Sequence, residues 1–319
     1  MKIIFCGTPQ FAVPTLERLV SGPFQIELVI TNPDEASGRG YEVMTPPVKR
    51  AALDARLAVF QPQSLKAPFT RAFLTQYHPD AIVVVAYGHI IPPWMIELPR
   101  LGCLNLHASL LPRYRGAAPI PWAIVRGERV TGVTTIKIDA GLDTGDVLLE
   151  REVAIQPDDT AETLAARLSH VGAELMAETL VRLKHGNVKP QQQDHSQATL
   201  APILKKEDGR IDWSLPADEI ERRVRGFSPW PGAYTTFRGK GIHLWKTAVA
   251  SKTNGPQAVP AMEPGTLFGA NGELLVAAGN GTWLELVEVQ LEGRRRVSGR
   301  DFLNGVRLQP DEKLGLPHP

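Results

Sequence analysis

The chain has 319 residues, 43% hydrophobic and 22% charged, enough apolar surface to bury the cores of two domains, which excludes a disordered or collagen-like polymer. Thirty-five Lys and Arg stand against 34 Asp and Glu, a net charge of +1, so no general basic field argues for nucleic acid and any polyanion site has to be local. Two cysteines, Cys6 and Cys103, are too few for a disulfide framework or a thiolate zinc site and no metal is expected; with no long apolar stretch, the chain reads as soluble, unexported and without a membrane span.

Residues 3–6 form a short β-branched and aromatic run that breaks at Gly7, and 12–20 place apolar positions at helical spacing, so strand, turn and helix are predicted in that order. A second strand is predicted at 26–31, helices at 47–55 and 66–77, and strands at 80–87 and 102–107. Residues 80–87 (DAIVVVAY) are apolar on successive positions, the pattern of a strand buried on both faces in a parallel sheet. This alternation predicts an α/β fold with a Rossmann-like, open, mostly parallel sheet and ligands beyond the carboxyl ends of its strands. Strand candidates at 130–138 and 147–155 flank the turn DAGLDTGD, and a long amphipathic helix follows at 160–184 with Asp158, Asp159 and Thr160 as N-cap candidates.

Residues 185–204 are polar and aperiodic and read as a linker or crossing arm, which sets a catalytic domain at 1–184 and a second domain at 205–319. Beyond the linker a small helix is predicted at 216–224, with short strands at 234–238, 242–249, 265–268, 274–277 and 283–289, whose close spacing suggests a small β-barrel. Lys205 and Lys206, Arg222, Arg223 and Arg225, and Arg294 to Arg296 are local basic clusters that could meet phosphates. Phe227, Trp230, Tyr234, Phe237 and Trp245 read as barrel core in preference to base-stacking platforms.

The first β-α turn, FCGTPQFA, lacks the spaced glycines of a dinucleotide site, which argues against a dehydrogenase. The informative segment is NLHASLLPRYRG at 105–116. On a strand, Asn105 and His107 lie two positions apart and share a side at the end where ligands bind. Asn105 supplies an amide donor for a developing oxyanion, and His107 is the side-chain type that exchanges a proton near neutrality. A carboxylate to orient the imidazole is available in DAGLDTGD, where Asp139, Asp143 and Asp146 are indistinguishable by spacing. Cys103, with no basic neighbour in sequence, reads as a buried inert thiol.

With these motifs in view, the chain resembles the methionyl-tRNA formyltransferase family. Asn-x-His-x-Ser-Leu-Leu-Pro at 105–112 and Gly-Leu-Asp-Thr-Gly at 141–145 are shared with folate-dependent formyltransferases at large. FCGTPQFAVPTL at 5–16, RYRGAAPI at 113–120, KKEDGRIDWS at 205–214 and GFSPWPGAY at 226–234 carry the match nearly end to end, the last two marking an appended C-terminal domain. The resemblance implies a catalytic triad of Asn105, His107 and Asp143, a folate site lined by Ser109, Leu110, Leu111 and Pro112, and a pterin ring enclosed by 87–90 and 139–143. It also implies an OB-like C-terminal domain that binds tRNA. The implied tRNA contacts are Arg39, in the long loop 32–45, with Lys205 and Lys206; Tyr41 and Glu42 stand where further basic residues are expected. The implied co-substrates are 10-formyltetrahydrofolate and methionyl initiator tRNA, and the implied state is a cytoplasmic monomer.

Two other readings remain on the sequence. A formyltransferase of the same core acting on an amino sugar or nucleotide would need neither the long loop nor a basic C-terminal face. A non-catalytic RNA-binding module on the same fold would have no use for an intact Asn105, His107 and Asp143.

Overall fold

The computed structural model describes residues 1–37, 42–250 and 262–315. In chain order its first elements are β1 (Lys2–Gly7), α1 (Val13–Val20), β2 (Gln25–Ile30), β3 (Glu35–Ser37), β4 (Glu42–Met44), α2 (Pro47–Asp54), β5 (Val59–Phe60), α3 (Pro68–Leu74), β6 (Ala81–Val85) and α4 (Pro93–Ile96). They continue with β7 (Cys103–His107), α5 (Pro119–Val125), β8 (Val130–Lys137), β9 (Val147–Ala154) and α6 (Ala161–Lys184). The remainder is α7 (Ala217–Gly226), β10 (Ala233–Phe237), β11 (Lys240–Val249), β12 (Leu267–Ala270), β13 (Glu273–Ala277), β14 (Trp283–Leu291), β15 (Val297–Ser298) and α8 (Gly299–Val306). The chain forms two compact bodies, the first from Met1–Pro119, Val130–Ala154 and Leu164–Pro202, the second from Ile120–Arg129, Ile155–Thr163 and Ile203–Pro319.

The first body is built on a sheet of strand order β5-β2-β1-β6-β7-β8-β9, parallel from β5 through β7 and antiparallel at β7–β8 and β8–β9. Both faces are covered, as the unbroken apolar run of β6 requires. Ile4, Cys6, Leu28, Ile30, Ile82, Val84 and Cys103 pack with Leu74 and Met95 on one face, while the alternate residues Ile3, Phe5, Val83 and Val85 are buried on the other. Each such side chain removed from water contributes about 1.5–3 kcal/mol before chain entropy is subtracted. Burial pushes the Cys6 and Cys103 thiols well up, which keeps them protonated and inert.

Two features carry no period in the sequence. The short pair β3–β4 sits inside the loop read at 32–45, and two-residue β5 adds to β2. At the start of β6, Asp80 ties the sheet together: its carboxylate accepts from the Lys2 backbone N–H (2.9 Å) and from Arg100 Nη2 (3.0 Å). Those two donors, the Lys2 N–H first, hold its carboxyl below the usual aspartate range. A depressed folded value stabilises the fold above the unfolded value of roughly 4 and loses that contribution as pH falls through the folded one. Asp80→Asn is therefore expected to lower denaturant stability at pH 7 and to approach wild type as pH falls through the depressed folded value of Asp80. A deficit of constant size over that range would assign the effect to packing.

The N-terminus of α6 is capped by Thr160, whose hydroxyl accepts from the Thr163 N–H (3.2 Å), while Asp159 accepts from the Gln156 N–H and the Thr163 hydroxyl. Within the first body α6 lies close over β7, because at Gly172 a Cβ would stand 2.6 Å from Leu106 Cδ2. The segment 185–204, read as a linker, pairs up to Leu200 with the first body: Gln191 bridges Val147 and Leu200 bridges Arg115. Isolated bridges leave no repeating pattern, and the composition alone resembles that of a connector.

In the second body β10 to β15 form an antiparallel sheet of order β10-β11-β14-β13-β12, with β15 on β14. Residues 312–315 span its two edges. The Leu267 N–H donates to the Glu312 carbonyl and the Leu314 N–H to the Gly265 carbonyl on one side, and the Gly315 N–H donates to the Thr236 carbonyl on the other. This is a small OB-like barrel closed through a terminal segment, and covering edges in this way removes an aggregation-prone surface. Its core holds Ile220 and Val224 of α7 with Phe237, Ile242, Leu244, Leu284, Leu286 and Phe302.

Candidate active site

β7 places the two leading residues. Its neighbours are β6, where Asn105 pairs with Val84, and β8, where Asn105 faces Ile136 and His107 faces Thr134. Strand alternation puts Asn105 and His107 on one side at the carboxyl end of the parallel strands, Asn105 partly exposed and His107 buried. His107 Nε2 lies 2.9 Å from the Tyr114 carbonyl oxygen. A carbonyl only accepts, so Nε2 carries a proton and Nδ1 is left as the nitrogen that exchanges one.

Nδ1 lies 3.6 Å from Asp143 Oδ2, with the two side chains 6% and 14% exposed. Asp143 Oδ2 also accepts from the Gly116 N–H at 2.8 Å. The structure thus separates the three acids that spacing left equal. Asp139 spends its carboxylate inside the loop on the Gly141 N–H and the Thr144 hydroxyl, Asp146 is exposed, and Asp143 alone of the three faces the imidazole. It does so from a left-handed backbone, φ +53°, that the surrounding loop has to hold.

The turn at 109–112 is fastened to β8. Thr134, buried, donates its hydroxyl to the Ser109 carbonyl (2.7 Å) and accepts from the Leu111 N–H (3.2 Å). Ser109 donates its own hydroxyl to the Arg113 carbonyl (2.6 Å), so its side chain is committed to the turn. Leu111 is buried and Leu110 lies over Gly132, where a Cβ would come within 2.5 Å of Leu110 Cδ2. Beyond β6, Tyr87 is buried and its hydroxyl pushed up by that burial, while Ile90 is 83% exposed; beyond β8, Leu142 is 64% exposed. Among the described residues no group of three His, Cys, Asp or Glu is placed to hold a metal ion.

Comparison with known proteins identifies the family. The family model described as formyl transferase matches residues 1–180, and that described as formyl transferase, C-terminal domain, matches residues 203–307. The chain belongs to the formyl transferase family. It is 54% identical over 316 residues to the methionyl-tRNA formyltransferase of Koribacter versatilis, covering 99% of each chain. It is equally identical to that of Acidobacterium capsulatum, covering 99% of this chain and 100% of the other. Among solved structures, the N-formyltransferase from Helicobacter canadensis in complex with folinic acid and dTDP-3-aminofucose matches with a TM-score of 0.66 at 18% identity, covering 90% of this chain and 98% of that one. At that identity the likeness concerns the fold.

In this formyl transferase the remaining sequence candidates fall as follows. Lys205 and Lys206 are exposed on the second body, and Arg39 lies outside the described residues. Arg222 and Arg225 are engaged by Asp218 and Glu221, and Arg296 by Glu288, so those clusters are partly neutralised. Of the aromatics, Phe227 and Phe237 are buried, Phe237 in the barrel core as expected and Phe227 against the Trp122 ring. Trp230 is 56% exposed, and Tyr234 and Trp245 are only half-buried, flanking His243 on the sheet with Arg296 over the Trp245 ring. The core expectation fails for Tyr234 and Trp245 because their strands alternate and they occupy the outward positions, and for Trp230 because it stands in the turn before β10. Sequence reasoning also missed Thr134, Arg115 and Gln193. Thr134 was legible only through its pairing with His107, and Gln193 is the third of three consecutive glutamines with nothing local to single it out.

Proposed function

We propose that this chain transfers the formyl group of 10-formyltetrahydrofolate to the α-amine of methionyl initiator tRNA, as a cytoplasmic monomer. What supports the reading is that Asn105 and His107 share one side of β7, with Asp143 3.6 Å from the imidazole, in a chain 54% identical over its length to relatives named for this reaction. Residues 1–184 serve catalysis, and 205–319 serve RNA binding. Ser109 to Pro112 line the folate site, and the exposed apolar side chains of Ile90 and Leu142 offer the pterin ring the nonpolar contacts that water does not.

The chemistry follows from these groups. The neutral amine attacks the formyl carbon, a C–N bond forms, and negative charge gathers on the formyl oxygen. The Asn105 amide donates to that oxygen, as does His107 when Nδ1 carries a proton; fixed donors of this kind are the usual source of the largest rate gain. Asp143 holds the imidazole in register through its carboxylate and receives the proton that the attacking nitrogen sheds, directly or through water. His107, protonated on Nδ1, then delivers that proton to N10 as the bond from N10 to the formyl carbon breaks, and the proton held by Asp143 passes to Nδ1 to restore both groups. Proton and bond counts balance without any further reactant.

Formyl transfer to charged initiator tRNA, charged elongator tRNA and a nucleotide-linked amino sugar, measured side by side, tests the reading. Preference for the initiator is the expected result; transfer to the sugar alone would overturn it. On the RNA side, Arg39, Lys205 and Lys206 are assigned to the acceptor. Lys205→Ala with Lys206→Ala should weaken tRNA binding and flatten the dependence of log Kd on log salt by about 1 per lysine. Arg39→Ala should weaken discrimination between initiator and elongator while leaving the KM for the folate donor unchanged. An unaltered salt slope, or a changed folate KM, would remove these residues from the RNA contact.

A further inference from the structure

We propose that Gln193 is the positioning residue for Asp143, acting through the backbone of the loop that carries it; this rests on the role given to Asp143 above. Gln193 is 6% exposed, and its amide makes four hydrogen bonds, the most a side-chain amide can make with two N–H groups and one oxygen in this setting. Its Nε2 donates to the carbonyls of Asp143 (2.8 Å) and Gly145 (2.7 Å). Its Oε1 accepts from Arg115 Nε (3.1 Å) and Nη2 (2.6 Å). The reversed amide would set oxygen against two carbonyls and N–H against a guanidinium, so the chemistry of the partners determines its orientation.

The four bonds close a ring around Asp143. Its carboxylate is held by the Gly116 N–H, and its peptide carbonyl by Gln193. Gln193 is in turn held by the side chain of Arg115, the residue before Gly116. Arg115 is itself fixed, 7% exposed, by backbone pairing of its N–H with the Thr199 carbonyl and of its carbonyl with the Ala201 N–H, and Nη2 also meets His195 Nδ1 at 2.9 Å. Asp143 has φ +53°, a conformation disfavoured for a residue with a side chain. Without the two amide donors, its part-buried carbonyl and the buried carbonyl of Gly145 would lose these partners, and the loop would have reason to turn them toward water. That rotation would carry the carboxylate away from His107.

Gln193→Glu isolates the donors: the carboxylate still accepts from Arg115 but offers nothing to the two carbonyls. In steady-state formyl transfer it is expected to lower kcat about 10- to 100-fold with both KM values within about threefold, the scale of a catalytic group displaced by an ångström. The deciding measurement is the cycle with Asp143→Asn. If Gln193 acts through Asp143, the double variant should lie within about threefold of Asp143→Asn alone. Multiplying losses, or a wild-type kcat for Gln193→Glu, would overturn the proposal, and partial misfolding would also multiply and so count against it. Gln193→Met keeps the volume and removes all four bonds; it is expected to behave in the cycle as Gln193→Glu does, and replaces it should the glutamate variant be insoluble. Wild-type transfer and the Asp143→Asn defect test the proposed reaction separately, whatever Gln193 does.

Discussion

His107→Ala is expected to lower kcat about 10²- to 10⁴-fold, equivalent to about 2.7–5.5 kcal/mol of transition-state stabilisation, while the Kd for tRNA stays within about threefold. The reason is positional. With Nε2–H committed to the Tyr114 carbonyl, the one nitrogen free to gain or lose a proton is Nδ1, and it faces both the Asp143 carboxylate and the side of β7 that carries Asn105. Alanine removes one of the two donors to the oxyanion and the proton carrier in one step. Asp143→Asn should cost a similar factor, because an amide neither balances an imidazolium nor takes up a proton. The pair should be far from additive, since each acts on the other. His107 is buried, so thermal unfolding of each variant has to be followed alongside. A folded His107→Ala enzyme with kcat within about threefold of wild type would end the assignment.

Gly145→Ala should damage stability and catalysis together. A Cβ at this buried position would stand 1.8 Å from the Lys137 carbonyl oxygen and 2.9 Å from its carbon, both backbone atoms of the last residue of β8. Nothing there can rotate aside, so the loop from Asp139 to Asp146 has to lift off the strand. Overpacking of this kind costs about 1–3 kcal/mol in denaturant stability. Lifting the loop also withdraws the Gly145 carbonyl from Gln193 and strains the 2.8 Å bond between Asp143 Oδ2 and the Gly116 N–H. A fall in kcat of about 10-fold or more is expected, with the folate and tRNA KM values less affected. Gly141→Ala is the contrast. Its Cβ would meet the Thr144 hydroxyl at 2.0 Å, a side-chain atom that can turn aside at the cost of its bond to Asp139, so the penalty should be smaller. Equal stability losses at the two glycines would show that the Lys137 contact does not hold the loop.

The fold of the first body was largely legible because its signals are local. Successive apolar residues at 81–85 require a strand covered on both faces, and the alternation of such runs with helical periods leaves few sheets to choose from. The same period of two placed Asn105 and His107 on one side of β7 before any contact was known. The short pieces, β3, β4, β5 and β15, carry too few residues to show a period at all. Trp245 and Tyr234 escaped for a related reason: aromatic side chains raise strand propensity on either face, and composition does not say which face is covered.

The sequence by itself determined an α/β formyltransferase-like core, an amide and an imidazole side by side at a strand end, and a second small β-domain. Its spacing left three nearby acids equal as partners for the imidazole, and its family resemblance pointed to Asp143. Only the tertiary structure shows which of the three faces the imidazole: Asp139 is consumed by its own loop, Asp146 faces water, and Asp143 is turned inward by contacts from residues 27 and 50 positions away. Local spacing records what a segment does for itself. The orientation of Asp143 is imposed by partners far along the chain, whose hydrogen bonds leave no pattern in the residues around either end.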